Sequence, residues 1–258
     1  MRVLRRINLL GAATFVGFLL LWELVIRAGL VSFEYLPMPS EVVQGAREII
    51  ENGELWINLG HTLTAAVVGW LIAAGVGLVL GLLIGLFRPV WAYSMASIDA
   101  LRALPIVAFV PVAVLLLGFT QDMEILVAFY AAVWPITLNT IAGVQSLDLR
   151  KREVGKVLRL GAWGALWKLR LPAATPFIVV GLRLGLSISL VLTLVAEMVG
   201  NPAGLGFALI RAGQALQPAQ MFAYIVAIGL SGILLNGLLQ VGARVLFRGQ
   251  MAAAGEAA

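Results

Sequence analysis

The sequence predicts an all-α integral membrane protein with six membrane-crossing helices and both termini on the cytoplasmic side. Composition is the first reason: of 258 residues, 61% are apolar or aromatic and only 12% are charged, against about 25% charged in soluble domains. The mean hydropathy of +1.00 agrees. The second reason is that apolar runs of bilayer-spanning size, roughly 20 residues, recur along the chain and leave no room for an independent soluble domain. Residues 1–258 therefore read as one membrane domain.

The runs cover about residues 9–26, 62–87, 104–119, 125–144, 177–199 and 222–241. The third is short and holds Pro105 and Pro111, so it is either extended at its start from Val90 or locally broken. The fourth carries Pro135 and the fifth is entered through Pro172 and Pro176. Membrane helices tolerate such prolines where neighbours satisfy the freed carbonyls. Arg2, Arg5 and Arg6 before the first run imitate a secretory leader, but Glu23 and Arg27 occupy the place of a small-residue cleavage site. The first helix is expected to be retained. Residues 249–258 read as a flexible tail.

Basic residues sort by side. With the amino terminus in the cytoplasm, every Lys and Arg except Arg27, Arg47 and Arg211 falls on the inner side, as the positive-inside rule requires. The net charge of +5 is thus an orientation signal, and no nucleic-acid partner is expected.

On the outer side, residues 29–61 contain Pro37, Pro39 and a helix opening at Ser40, with Val42, Val43, Ala46, Ile49 and Ile50 at helical spacing. Such an amphipathic helix would lie on the membrane surface or pack on the bundle. His61 closes the segment. With no second His and no Cys, no metal site is expected and His61 reads as structural.

On the inner side, residues 145–175 are far longer than the usual helix connection of about two to eight residues. Asp148 to Leu160 reads as a helix with Val154, Val157 and Leu158 on one face, among Arg150, Lys151, Arg152, Lys156 and Arg159. Ala162 to Leu171 reads as a short Trp- and Leu-rich helix stopped by Pro172. Two readings stand: a basic loop held by anionic membrane lipid, or a docking element for another protein, since a solvated loop needs no apolar face.

Within the spans, Ala73, Gly77, Gly81 and Gly85, and again Gly181, Gly185 and Ser189, recur every fourth residue. Such stripes let helices approach closely. Glu23, Arg183 and Glu197 are charges placed near span ends, where snorkelling lowers their cost. Arg183 and Glu197 either line a polar path or serve as anchors.

Catalytic chemistry is not expected. Inside or near the membrane there is one His and no Cys, and there no two carboxylates share a helix at ligand or general-acid spacing. A nucleotide-binding loop is missing, because Gly155-Lys156 is followed by Val157 and Arg150 stands where the first Gly is needed.

The inner loop also carries a motif. Glu153-Val154-Gly155, then Arg159, then Leu169-Arg170-Leu171-Pro172 resembles the E-A-A-x3-G-x9-I-x-L-P signature of bacterial ABC transporter permease subunits that work with a periplasmic binding protein. Asp99 to Pro105, Pro111, the run from Pro135 through Asn139 to Val144, Ala196-Glu197-Met198 and Gly204-Leu205-Gly206 follow in an order similar to the nitrate, sulfonate and taurine class. In the part of the signature that runs from its glutamate to its central glycine, three positions depart. Val154 and Gly155 replace its two alanines, and Arg159 replaces its central glycine, with Gly161 able to supply the turn two places later.

The resemblance implies a type I ABC importer permease fold in a bacterial plasma (inner) membrane. It implies that two such subunits, a permease homodimer, form the translocation path, with Pro105, Pro111, Asn139, Arg183 and Glu197 as candidate path residues. The loop around Glu153 to Gly161, with Leu169, Leu171 and Pro172, would sit on a cytoplasmic ABC ATPase. That ATPase would use ATP and Mg, this chain binding neither, and a periplasmic or lipid-anchored binding protein would deliver the solute. Implied solutes are small anions of the nitrate, sulfonate or taurine kind, or a small heteroaromatic precursor. A lipid-modifying membrane enzyme and a homomeric channel are the competing readings.

Overall fold

The computed structural model describes residues 9–30, 33 and 35–246. Arg2, Arg5, Arg6, Glu34, Arg248 and the tail 249–258 lie outside the described residues. The described chain is entirely helical: α1 (Leu9–Arg27), α2 (Pro39–Glu51), α3 (Glu54–Leu86), α4 (Arg88–Arg102), α5 (Ile106–Leu117), α6 (Gln121–Gln145), α7 (Leu149–Val157), α8 (Ala162–Ala165), α9 (Leu171–Gly200), α10 (Leu205–Gln214) and α11 (Pro218–Leu246). A π-helical segment, Leu166–Arg170, joins α8 to α9. Four helical stretches, 54–86, 121–145, 162–199 and 218–245, are long and apolar enough to cross a membrane. The bent pair α4 and α5 makes a fifth if it counts as one span.

The outer amphipathic segment packs on the bundle. Pro39 opens α2, and Glu41 reaches back to accept from the Met38 N–H at 2.7 Å. Glu23 of α1 accepts from Ser40 N and Oγ at 3.0 and 2.8 Å, tying α1 to this helix start. A Cβ on Gly45 would stand 2.6 Å from the Ala219 carbonyl carbon, so α2 meets the start of α11 backbone to backbone. Gly53, at φ +79°, ends the turn after α2. The expected place of His61 at the end of the amphipathic helix is therefore corrected: His61 lies in the second turn of α3, which begins at Glu54 because only the left-handed turn at Gly53 separates it from α2.

The core is a sandwich of α3, α6 and α9. A Cβ on Gly77 would meet Ile136 at 3.0 Å and one on Gly85 would meet Val144 at 3.1 Å, while one on Gly81 would overlap Thr140. From the other side, Gly181 and Gly185 leave 2.8 Å to Asn139 and Ile136. Both stripes press on α6, and Ile136 is gripped between them, fully buried. Lipid gives helices no hydrophobic reason to associate, so close backbone approach of this kind supplies the attraction.

Two proline expectations are resolved differently. The stretch expected as the third span forms two helices: α4 and α5 meet at an angle of 84° across Ala103 to Pro105, where Pro105 cannot donate to a continuing helix. Pro172, by contrast, does not stop the helix before it. The Leu171 N–H reaches back to Leu166 O, and this wider π turn admits the proline ring, so the helix continues into α9.

Candidate functional site

Three places gather chemistry: a buried cluster where the starts of α3 and α6 meet the end of α9, expected on the outer side, the loop from α7 to α8, expected on the cytoplasmic side, and a groove between α9 and α11.

The outer cluster begins with a helix that needs capping. The first N–H groups of α10 have no intrahelical partners. Asn58 Oδ1 accepts from Gly204 N at 3.0 Å, Thr62 Oγ1 accepts from Leu205 N at 2.8 Å, and Glu197 Oε2 accepts from Gly206 N at 2.8 Å. Thr62 passes its own proton to Glu197 Oε1 at 2.7 Å. Glu197 is fully buried, and a carboxylate at a helix N-terminus is where the helix dipole favours it. The two glycines make room. Gly204 has φ +98°, and a Cβ on it would overlap the Glu197 carboxyl group; one on Gly206 would overlap Leu194 O.

Beside Glu197, the first turn of α6 brings in Glu124, also fully buried. Its Oε2 lies 2.9 Å from His61 Nε2, and its Oε1 accepts from Asn201 Nδ2. His61 Nε2, Glu124 and Glu197 each offer a ligand atom within 4.8 Å of the others. The expectation that acids and bases do not converge is thus corrected, because residues from three helices meet although no single helix carries the spacing. A divalent cation could take these three atoms, yet both carboxylates already hold hydrogen-bond donors from the protein. The arrangement as it stands joins three helix ends and one loop.

The cytoplasmic loop is arranged in the opposite way. Asp148 caps α7, accepting from Arg150 N at 3.0 Å. The helix closes with Arg159 N bonded to Lys156 O at 2.9 Å and Leu160 N to Gly155 O at 3.0 Å, the paired bonds of a Schellman turn. The left-handed residue that this turn requires is Arg159, at φ +49°. Gly161, expected to supply the break, has φ −64° and ψ 171° and opens α8 instead. The turn falls on the position where the signature has its glycine, although this chain carries an arginine there. Gly155 is buried, and a Cβ on it would stand 2.7 Å from Leu169 Cδ1. That contact holds α7 against the segment leading to Leu171 and Pro172, both half-buried. Outward, Glu153, Val154, Val157, Leu158, Trp163 and Trp167 are exposed, Val157 at 82%. The two indoles stack at 6.4 Å.

The remaining path candidates are dispersed. Pro105 and Pro111 are exposed on α5. Asn139 is half-buried at the α6–α9 contact and donates to Pro135 O at 2.8 Å. Arg183 lines the groove of about 900 Å³ between α9 and α11. It stands 14 residues from Glu197 on one helix, about 21 Å along the axis, so the two do not act on one point.

Residues 77–250 match the family model described as binding-protein-dependent transport system inner membrane component. The chain is 32% identical over 228 residues to the putative aliphatic sulfonates transport permease protein SsuC of Bacillus subtilis, covering 88% of this chain and 83% of that one. It is 31% identical to the nitrate import permease protein NrtB of Leptolyngbya laminosa, over 78% and 75% of the two chains. Against the bicarbonate transport system permease protein CmpB of Synechococcus elongatus it is 32% identical, over 88% and 85%. Among solved structures, an inward-facing MetNI methionine ABC transporter shares the fold with a TM-score of 0.59 at 19% identity, covering 75% of this chain and 94% of that one.

Proposed function

We propose that this chain, which belongs to the binding-protein-dependent transport system inner membrane components, forms the translocation path of an ATP-driven importer and is driven through residues 145–175. Membership makes it a membrane permease and not an enzyme, and its partners are an ATPase and a substrate-binding protein. The finer reading has six spans, with α1 as the first and the bent α4–α5 pair as the third, and both termini inside. A second copy of the chain completes the path. The relatives named above carry aliphatic sulfonates, nitrate and bicarbonate in their names, which supports a small anion as the solute.

One observation carries the coupling. The α7–α8 loop and the turn after it expose Val154, Val157, Leu158, Trp163 and Trp167 beside the exposed Arg150, Lys151 and Lys156. Exposed aromatics ringed by charge are the composition of interface centres. A short helix held by a Schellman turn and by Gly155 against Leu169 moves with α9, so motion of an ATPase seated on it would reach the spans.

The test is co-expression with a P-loop ATPase of the importer class from the same genome, followed by affinity capture and solute uptake. The expected result is stable capture of the ATPase, lost together with uptake when Glu153 and Gly161 are both replaced by bulky residues while the protein stays inserted. Full uptake by that double variant overturns the coupling assignment. Conductance without any ATPase would favour a channel, and product formed from lipid by the purified chain alone would favour an enzyme.

A further inference from the structure

The cluster that joins α3, α6 and α9 holds two carboxylates, Glu124 and Glu197, both fully buried. Among the described residues neither has a Lys or Arg within ion-pair distance, and the one basic group beside them is His61, with Nε2 2.9 Å from Glu124 Oε2. A buried carboxylate is costly unless it is paired or bound to a metal. One imidazole does not balance two of them.

The surroundings of His61 make a second observation. Its Nε2 stands between Glu124 Oε2 and the Asn201 amide nitrogen, the latter at 3.4 Å. A carboxylate oxygen accepts and an amide nitrogen donates, so neither protonation state of Nε2 suits both neighbours. A cation on Nε2 resolves both contacts. It attracts Glu124 Oε2 directly, and the buried Asn201 amide, turned over, presents Oδ1 to it.

The spacing fits as well. One ligand atom each from His61, Glu124 and Glu197 lies within 4.8 Å of the others. Around zinc, donors bonded at about 2.1 Å stand about 3.4 Å apart, so the three draw in by about 1.4 Å at most. The hydrogen bonds already made do not block this, because a carboxylate oxygen accepts along two directions. Glu197 takes one donor on each oxygen, Thr62 Oγ1 on Oε1 and Gly206 N on Oε2, and such bonds orient ligating carboxylates in metal sites. The His61 side chain, 20% exposed, marks the opening through which an ion enters.

We propose that His61 Nε2, Glu124 and Glu197 bind one divalent cation of the zinc class, with Asn201 Oδ1 or a water as the fourth donor, and that the ion clamps the starts of α3 and α6 to the end of α9. An imidazole nitrogen among carboxylate oxygens selects zinc over calcium and magnesium, which take oxygen ligands. The assignment is independent of the solute and of the ATPase contact, since its donors come from this chain's own helices.

The test takes the full chain in phosphatidylcholine nanodiscs free of histidine tags, strips it with EDTA and titrates it with micromolar zinc, calcium or magnesium. One zinc per chain is expected, with a raised thermal unfolding midpoint that EDTA reverses, because a ligand bound to the folded state alone stabilises it. X-ray absorption at the zinc edge should show one imidazole. His61→Gln and Glu124→Gln should each weaken zinc more than about ten-fold, the loss that follows even from removing a supporting residue, and His61→Gln should also remove the imidazole signal. Glutamine keeps the hydrogen-bonding capacity of both positions. If Glu124→Gln is nonetheless not recovered folded, His61→Gln and the wild-type spectrum decide. No zinc on the wild type at micromolar concentration overturns the proposal. So does equal binding by the wild type and the variants, which marks adventitious surface carboxylates, and so does calcium bound as tightly as zinc.

Discussion

The two ends of the bundle use polar chemistry in opposite ways. At the outer end, Asn58, His61, Thr62, Glu124, Glu197 and Asn201 are bound to one another or to the start of α10, and the carboxylates are fully buried. At the other end, α7 and α8 leave basic and aromatic side chains exposed. An end whose polar groups satisfy each other is a fixed joint. An end whose side chains are spent on nothing within the chain is the surface the proposed coupling would use. Under that proposal the polarity is the expected one, because the joint would hold α3, α6, α9 and α10 together while the loop receives force.

The strongest way to break the comparison is to break the joint. In Gly206→Val, the new side chain must displace Leu194 O and Glu197, and Glu197 would lose its bond to residue 206 while remaining buried. Overpacking costs about 1–3 kcal/mol and a buried acceptor that loses one of its donors about 1–3 kcal/mol, so a loss of about 2 kcal/mol or more is expected. Thermal unfolding of the purified chain in detergent checks this, with a midpoint lowered by many degrees or no folded protein recovered. An unchanged midpoint would mean that the cluster holds nothing.

The loop sharpens the comparison from the other side. Val157→Asp and Trp163→Ala alter exposed side chains of 82% and 71% exposure, so the unfolding midpoint should stay within the effect of a surface substitution, about 0.5 kcal/mol. Capture of the ATPase should nonetheless weaken about 30-fold, the size of an interface hot spot of about 2 kcal/mol. Equal weakening of stability and capture would show that the loop is part of the core and not a reserved surface.

These two ends also differed in how legible they were. The loop could be read because its signals are local: excess length, an apolar face within a basic helix, and a motif of fixed spacing from Glu153 to Pro172. The long apolar helices 54–86, 121–145, 162–199 and 218–245 were legible for the same reason. The joint was not, since its bonds link residues separated by 63, 77 and 135 positions, and periodicity carries no information about such pairs. A signal was nevertheless present. A Glu in the last turn of a span, followed by Gly204-Leu205-Gly206, reads as a carboxylate folding back onto the next helix start. Prolines misled in one direction, with Pro105 standing at the break that was one of two alternatives and Pro172 absorbed by a π turn. That difference depends on whether the preceding turn can widen, which the residue type does not encode.

The smallest expected effect concerns Arg159. A non-glycine residue in the left-handed region carries a cost of about 1–2 kcal/mol from its Cβ against the following carbonyl, and Arg159 sits there at φ +49°. Arg159→Gly removes that cost and keeps both bonds of the turn, because they are made by backbone groups. The Leu160 amide, which donates to Gly155 O, should then exchange with deuterium up to about ten-fold more slowly, the equivalent of about 1.4 kcal/mol. Arg159→Val should do the reverse and speed exchange, since a β-branched residue is an outlier in this region. Global unfolding should not move in either variant, as the loop is not part of the α3–α6–α9 sandwich. Faster exchange in Arg159→Gly would mean that the guanidinium itself holds the turn. If the glycine variant slows exchange and captures the ATPase as tightly as the wild type, the residue serves the loop's shape. Weaker capture with a firmer turn would make Arg159 a contact that the chain keeps at the expense of its own backbone.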